Sequence, residues 1–151
     1  MRKTINIFVL LLLTVTAIGQ ASEQDSVLGS LRWQARVLLV FAPDAEDERV
    51  IALSESVNHQ SCQAAQRDLL LGVLVAEGQS HVGERAVGTT EAMHLRRKLD
   101  IADTDFRVVL VGKDGGAKAT YTSPPELEVV FGLIDGMPMR RQEARAQSDS
   151  C

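Results

Sequence analysis

The chain has 151 residues, with 16 lysines and arginines against 20 aspartates and glutamates and a formal net charge of −4. That mild acidity argues against a nucleic-acid binder, which needs a basic face for phosphates, and the length suffices for one hydrophobic core and little else. Two cysteines, Cys62 and Cys151, and three histidines, His59, His81 and His94, form no Cys-x-x-Cys, no zinc-type spacing and no i, i+4 histidine pair, so neither a metal nor another cofactor is expected.

In chain order, Arg2 and Lys3 give a positive start, and Ile5 to Ile18 is almost wholly apolar. Small residues follow at Gly19 and Ala21, ahead of polar Ser22 to Asp25. This is the layout of a secretory signal peptide over residues 1–21, cleaved after Gly19 or Ala21. The apolar run is shorter than the roughly 20 residues of a spanning helix, so no transmembrane segment is expected after cleavage. Next, Val37 to Phe41 is an unalternating apolar run, which reads as a strand buried on both faces. Pro43 ends it, and Asp44 is a helix N-cap with Glu46, Asp47 and Glu48 in the favourable first turn.

From Glu46 to about Gln66, the positions Val50, Leu53, Val57, Ser61 and Ala64 make one helical stripe. Leu69 to Ala76 is a second apolar strand, and strand–helix–strand implies a right-handed parallel crossover. Glu77 to Gly88 is glycine-rich and polar and reads as a loop. A helix follows from Thr90 to Leu99, with Arg96-Arg97-Lys98 on its exposed face. Phe106 to Val111 and Ala117 to Tyr121 are strands joined through Asp114-Gly115, the chemistry of a hairpin turn. Ser123-Pro124-Pro125-Glu126 reads as a helix start with serine at the N-cap, and Leu127, Val130, Phe131 and Ile134 give that helix its buried face. Gly136 and Pro138 interrupt it, and residues 140–151 form a charged tail.

A parallel pair feeding an antiparallel hairpin, with helices on both faces, is the thioredoxin-like arrangement. The expectation is an α/β fold over residues 22–139 with a mixed four-stranded sheet in the order 4-3-1-2. The competing small flavodoxin-like domain is disfavoured, because a tight Asp-Gly hairpin does not suit an all-parallel sheet.

Three stretches carry a family resemblance: Trp33 to Pro43, Val109 to Gly116, and Ile134 to Arg141 with its Met-Pro-Met-Arg run. They resemble the bacterial exported proteins classed as domain of unknown function 4174, a family similar in turn to a peroxiredoxin-like domain of some secreted animal matrix proteins. The resemblance implies a thioredoxin-like fold and a periplasmic or secreted location, and it implies no particular activity.

Two functional readings follow. A thiol-dependent redox or peroxiredoxin-like protein needs a cysteine where the first strand meets the first helix, so that the helix N-terminus stabilises the thiolate. That turn reads Ala42-Pro43-Asp44-Ala45-Glu46-Asp47-Glu48, and the places of the peroxiredoxin threonine and cysteine fall on Asp47 and Val50. Phe106-Arg107 alone echoes a peroxiredoxin aromatic–arginine pair, leaving Cys62, three residues after His59, and Arg107 as the redox candidates. Cys62 is alternatively a structural cysteine or half of a disulfide with Cys151. The favoured reading is a non-enzymatic binding or scaffold module of the cell envelope with an envelope protein as partner. Its recognition surfaces are the Glu77–Gly88 loop and the segment with Met137, Arg140 and Arg141, where Arg145 adds to a basic cluster suited to an acidic partner or anionic head groups. A solvated tail is the plainer account of that cluster.

Overall fold

A computed structural model describes residues 26–146; the expected signal peptide and Cys151 lie outside them. The run Val37 to Phe41 lies within β1 (Arg36–Ala42), every residue of which is buried. It is flanked by β2 (Leu69–Val75), which runs parallel to it, and by antiparallel β5 (Arg107–Val111). A strand paired on both edges and covered on both faces has no side chain to offer to water, which is why it lacks polar alternation. β6 (Ala117–Tyr121) closes a hairpin with β5 across the Asp114-Gly115 turn, with Gly115 at φ +82°.

The sheet has six strands, not four, in the order β4-β3-β2-β1-β5-β6. The extra two come from the stretch read as a loop: β3 (Ser80–Val82) and β4 (Arg85–Val87) form an antiparallel hairpin beside β2. Three residues per strand are too few to display a period. The hairpin turns tightly at Gly83, where φ is +55°, a conformation glycine adopts without a side-chain clash.

Helices cover both faces. On one, α2 (Glu48–His59), α3 (Ser61–Gln66) and α5 (Leu127–Asp135) pack Val50, Leu53, Ala64, Val130, Phe131 and Ile134 against Leu38, Val40, Val73 and Leu110. On the other, α1 (Val27–Leu31) and α4 (Thr89–Lys98) pack Val27, Leu31, Ala92 and Leu95 against Val37, Leu39, Phe41 and Val109. Alternate residues of β1 thus serve two separate cores.

Three helix boundaries depart from expectation. The first long helix is capped by Asp47, whose carboxylate accepts from the Arg49 amide at 2.9 Å, rather than by Asp44, and it breaks at Gln60 into α2 and α3. α5 begins at Leu127, not at Pro124, because Pro125 disfavours helical backbone at the residue before it. The stretch expected to be a polar tail from Arg140 is helical as far as Ala146, as α6 (Pro138–Ala146), with Arg140 only 8% exposed.

Candidate functional site

In thioredoxin-like folds the β1–α2 turn is where redox chemistry is placed, so its occupants matter most. Pro43 and Asp44 are half-buried, while Ala45, Glu46 and Glu48 are exposed. Arg49 reaches back to bond both carboxylate oxygens of Asp47, at 2.9 and 2.5 Å, and lies 4.3 Å from the centre of the Phe106 ring. The Arg49 side-chain hydrogen bond holds the Asp47 carboxyl below its ordinary range. An ionised carboxylate at the helix start favours the helix dipole but repels any thiolate nearby.

Beneath this turn lies Arg96, only 2% exposed and not on an open helix face as expected. Its guanidinium donates to the carbonyls of Ala42, Leu74 (3.0 Å) and Ala102 (2.9 Å), and it sits 5.6 Å from the centre of the Phe41 ring. Burial lowers its pKa, with Asp103 and Asp105 acting in the opposite sense. Arg96 ties the carboxyl ends of the two parallel strands to α4. Ala92, four residues earlier on the same helix face, is the signal in the sequence that separates Arg96 from its neighbours Arg97 and Lys98.

The redox candidates fall apart in space. Arg107 is paired across the sheet with Phe41, at the carboxyl end of β1, and its guanidinium is 3.5 Å from the Asp105 carboxylate. Cys62 is exposed on α3, which leads into the opposite, amino end of β2. It is disulfide-bonded rather than a free thiol. His59 is also exposed, at the end of α2.

The Met137–Arg141 segment is largely used inside the molecule. Met137 packs against the core, Arg140 bonds Asp135 at 3.3 Å, and Arg141 donates to the Gly136 carbonyl at 2.7 Å. Asp135 also takes two bonds from Arg67, at 3.0 and 2.6 Å. Met139, Arg141 and Arg145 keep open surface.

A buried ionic network anchors α6 to the sheet. Arg36, 1% exposed, donates to Glu143 at 3.0 Å and to the Arg67 carbonyl at 2.8 Å. Lys113 bridges Glu143 and Asp68, each at 2.7 Å. Burial pushes the Glu143 carboxyl up, but Lys113 and Arg36 outweigh it and hold the group below its ordinary value of 4.5. Among the described residues, no cluster of three or more His, Cys, Asp or Glu is placed to hold a metal ion, and no helix is long and apolar enough to cross a membrane.

The family model described as Domain of unknown function (DUF4174) matches residues 27–143. The chain belongs to that family. Two relatives of this DUF4174 domain are Coiled-coil domain-containing protein 80 of Danio rerio, 28% identical over 139 residues, and Sushi repeat-containing protein SRPX2 of Xenopus laevis, 24% identical over 122 residues. The matches take in 82% and 77% of this chain but only 16% and 27% of those longer proteins. Among solved structures the domain is similar to thioredoxin peroxidase I of Plasmodium yoelii, with a TM-score of 0.57 and 14% identity, covering 80% of this chain and 82% of the other. Prx1a of Plasmodium yoelii matches with a TM-score of 0.56 at 16% identity over the same shares of the two chains. At such identities the likeness establishes the fold alone, α/β and thioredoxin-like.

Proposed function

We propose that this DUF4174 domain is a non-enzymatic binding or scaffold module of the cell envelope, exported through a signal peptide at residues 1–21 to the periplasm or beyond. One observation carries the reading: the β1–α2 turn is filled by Pro43, Asp44 and the Asp47–Arg49 pair, while Cys62 is on α3 near the other end of the sheet. A thiolate in that turn would face the Asp47 carboxylate, and Cys62 is disulfide-bonded on a helix of six residues, away from that turn. The comparisons lend support from another side. A domain that recurs as 16% and 27% of two longer proteins is a unit reused alongside other parts. In this reading Cys62 is structural and is bridged to Cys151.

The purified chain, given hydroperoxide or a disulfide substrate with a thiol reductant, is expected to show no turnover above a Cys62→Ser variant. Turnover that disappears in Cys62→Ser would overturn the reading in favour of a redox protein with Cys62 as its nucleophile and Arg107 without a direct role.

A further inference from the structure

The hairpin that extends the sheet covers only part of β2. The bonds from the Arg36 amide to the Asp68 carbonyl (2.7 Å) and from the Ala76 amide to the Ala42 carbonyl (3.2 Å) show that the even-numbered residues of this strand turn their backbone groups towards β1. The odd-numbered residues therefore face outwards. Of these, Val75 donates to the Ser80 hydroxyl at 3.0 Å, Val73 pairs with His81, and the Leu71 carbonyl accepts from Gly83 at 2.8 Å. At Gly83 the chain turns away into β4 and leaves the lane beside β2. Among the described residues, the Leu71 amide and both backbone groups of Leu69 take no partner strand.

This open stretch is the floor of a groove of about 670 Å³. Its walls come from both faces of the sheet: Val57, Asn58 and Ala65 from α2 and α3 on one side, Leu31 and Ala35 from the α1 region on the other. Leu71 points its side chain to the first wall and Leu70 to the second. An extended chain alternates its side chains in the same way, so one residue would meet Val57 and the next Leu31. Among the described residues of the lining, Asp68 is the one carboxylate, already ion-paired with Lys113, and there is no lysine or arginine, so the groove selects for an uncharged segment.

Unpaired strand edges are templates for another strand, and proteins normally cover or charge them. Here the edge is flanked instead by walls that mix apolar Val57, Leu31 and Ala35 with neutral polar Asn58, Ser54 and Gln34. We propose that the open edge of β2 binds an extended, uncharged peptide segment of a partner protein, which adds to the sheet beside Leu69–Leu71. The proposal rests on the binding-module reading and names the surface that reading requires. Main-chain bonds supply affinity in such additions, and the walls supply selectivity.

The test uses the intact chain against a random dodecapeptide library displayed on phage, with selected peptides then synthesised. Exposed wall residues are filled in two variants, Ala65→Trp and Asn58→Trp, while Val129→Trp, exposed on α5 and outside the groove lining, is the control. The expected result is uncharged peptides whose affinity falls at least about tenfold in either groove variant and is unchanged in the control. They should also slow hydrogen exchange at the Leu69 and Leu71 amides. Either groove variant suffices if the other fails to fold. Three results would overturn the proposal: binders indifferent to both groove variants, no binder at all, or Leu69 and Leu71 amides already protected in the free chain, which would mean a second copy or the chain's own segment fills the lane. Binders that map elsewhere remove the groove and leave the binding-module reading standing. Cysteine-dependent turnover in the peroxide assay would instead remove that reading itself.

Discussion

Arg36 is a guanidinium side chain at the first position of a strand that is otherwise apolar, and its burial is tolerated only because Glu143 and the Arg67 carbonyl receive it. Removing the acid leaves the cation buried with one neutral acceptor. Glu143→Ala should therefore cost about 3 kcal/mol, measured by urea unfolding, and should loosen α6 first. The same carboxylate sets a pH dependence. Its folded pKa is depressed, so its contribution is fully present above the ordinary value of 4.5 and is lost as pH falls through the lower folded value. A plot of stability against pH should thus fall on the acid side, and Glu143→Gln should flatten that fall while lowering the plateau. An unchanged acid limb in Glu143→Gln would mean that other carboxylates, Asp135 among them, carry it. None of this was legible beforehand, because Arg36, Lys113 and Glu143 are far apart in the chain and each reads alone as a solvated charge.

The elements tell a similar story about where sequence patterns end. The central strand, the Asp-Gly hairpin and the buried stripe of α5 were legible because each carries enough residues to show a period or a specific turn. The β3–β4 hairpin was not, since six strand residues around a glycine turn look like a polar loop. The α4 helix was legible in extent but not in its most consequential side chain. Arg96 lies one turn after buried Ala92 and next to buried Leu95, yet its neighbours Arg97 and Lys98 made the trio resemble an exposed face. Its three carbonyl acceptors are the ends of β1 and β2 and the segment after α4. Arg96→Leu keeps much of the volume but strands those acceptors, and the expected loss is about 3 kcal/mol by the same urea titration. Hydrogen exchange should rise along α4 more than along α5. A uniform change across both helices would show that Arg96 stabilises the sheet as a whole and not the docking of α4. Gly72 offers a complementary test on β2. A Cβ there would sit 2.8 Å from Leu39 Cδ2 and 2.9 Å from Val82 Cγ2, so Gly72→Ala should destabilise by about 1–3 kcal/mol by crowding β2 against both β1 and the hairpin.

At the scale of the whole molecule, the fold is thioredoxin-like, while Cys62 is disulfide-bonded rather than a free thiol. Cys62 lies on the surface of α3, and Arg67, just beyond α3, grips Asp135 at the end of α5 and stacks 4.7 Å over Phe131. α6 follows immediately and returns to the sheet through Glu143. A bridge from Cys62 to Cys151 would therefore join the end of the chain to the same side of the molecule that the ionic network already holds. In the chain-entropy account such a long loop stabilises by up to about 4–5 kcal/mol, because reduction frees the segment between Cys62 and Cys151 in the unfolded state. The native protein is accordingly expected to resist alkylation until it is reduced, and then to take up two equivalents. Reduction should lower the unfolding midpoint while leaving the fold intact at room temperature, since both cores, among the described residues, are built without Cys62. Prompt labelling of two thiols in the unreduced native protein would remove the bridge. It would leave Cys62 as an exposed thiol beside His59, and the peroxide assay would then decide whether that thiol does chemistry. If instead the bridge holds and reduction destabilises the Glu143→Gln variant more than the parent, the covalent and ionic ties act in parallel on α6. The cysteine pair and the ionic network would then serve one end, which is to hold α6 beside the open edge of β2, where Asp68 belongs both to the network and to the groove lining.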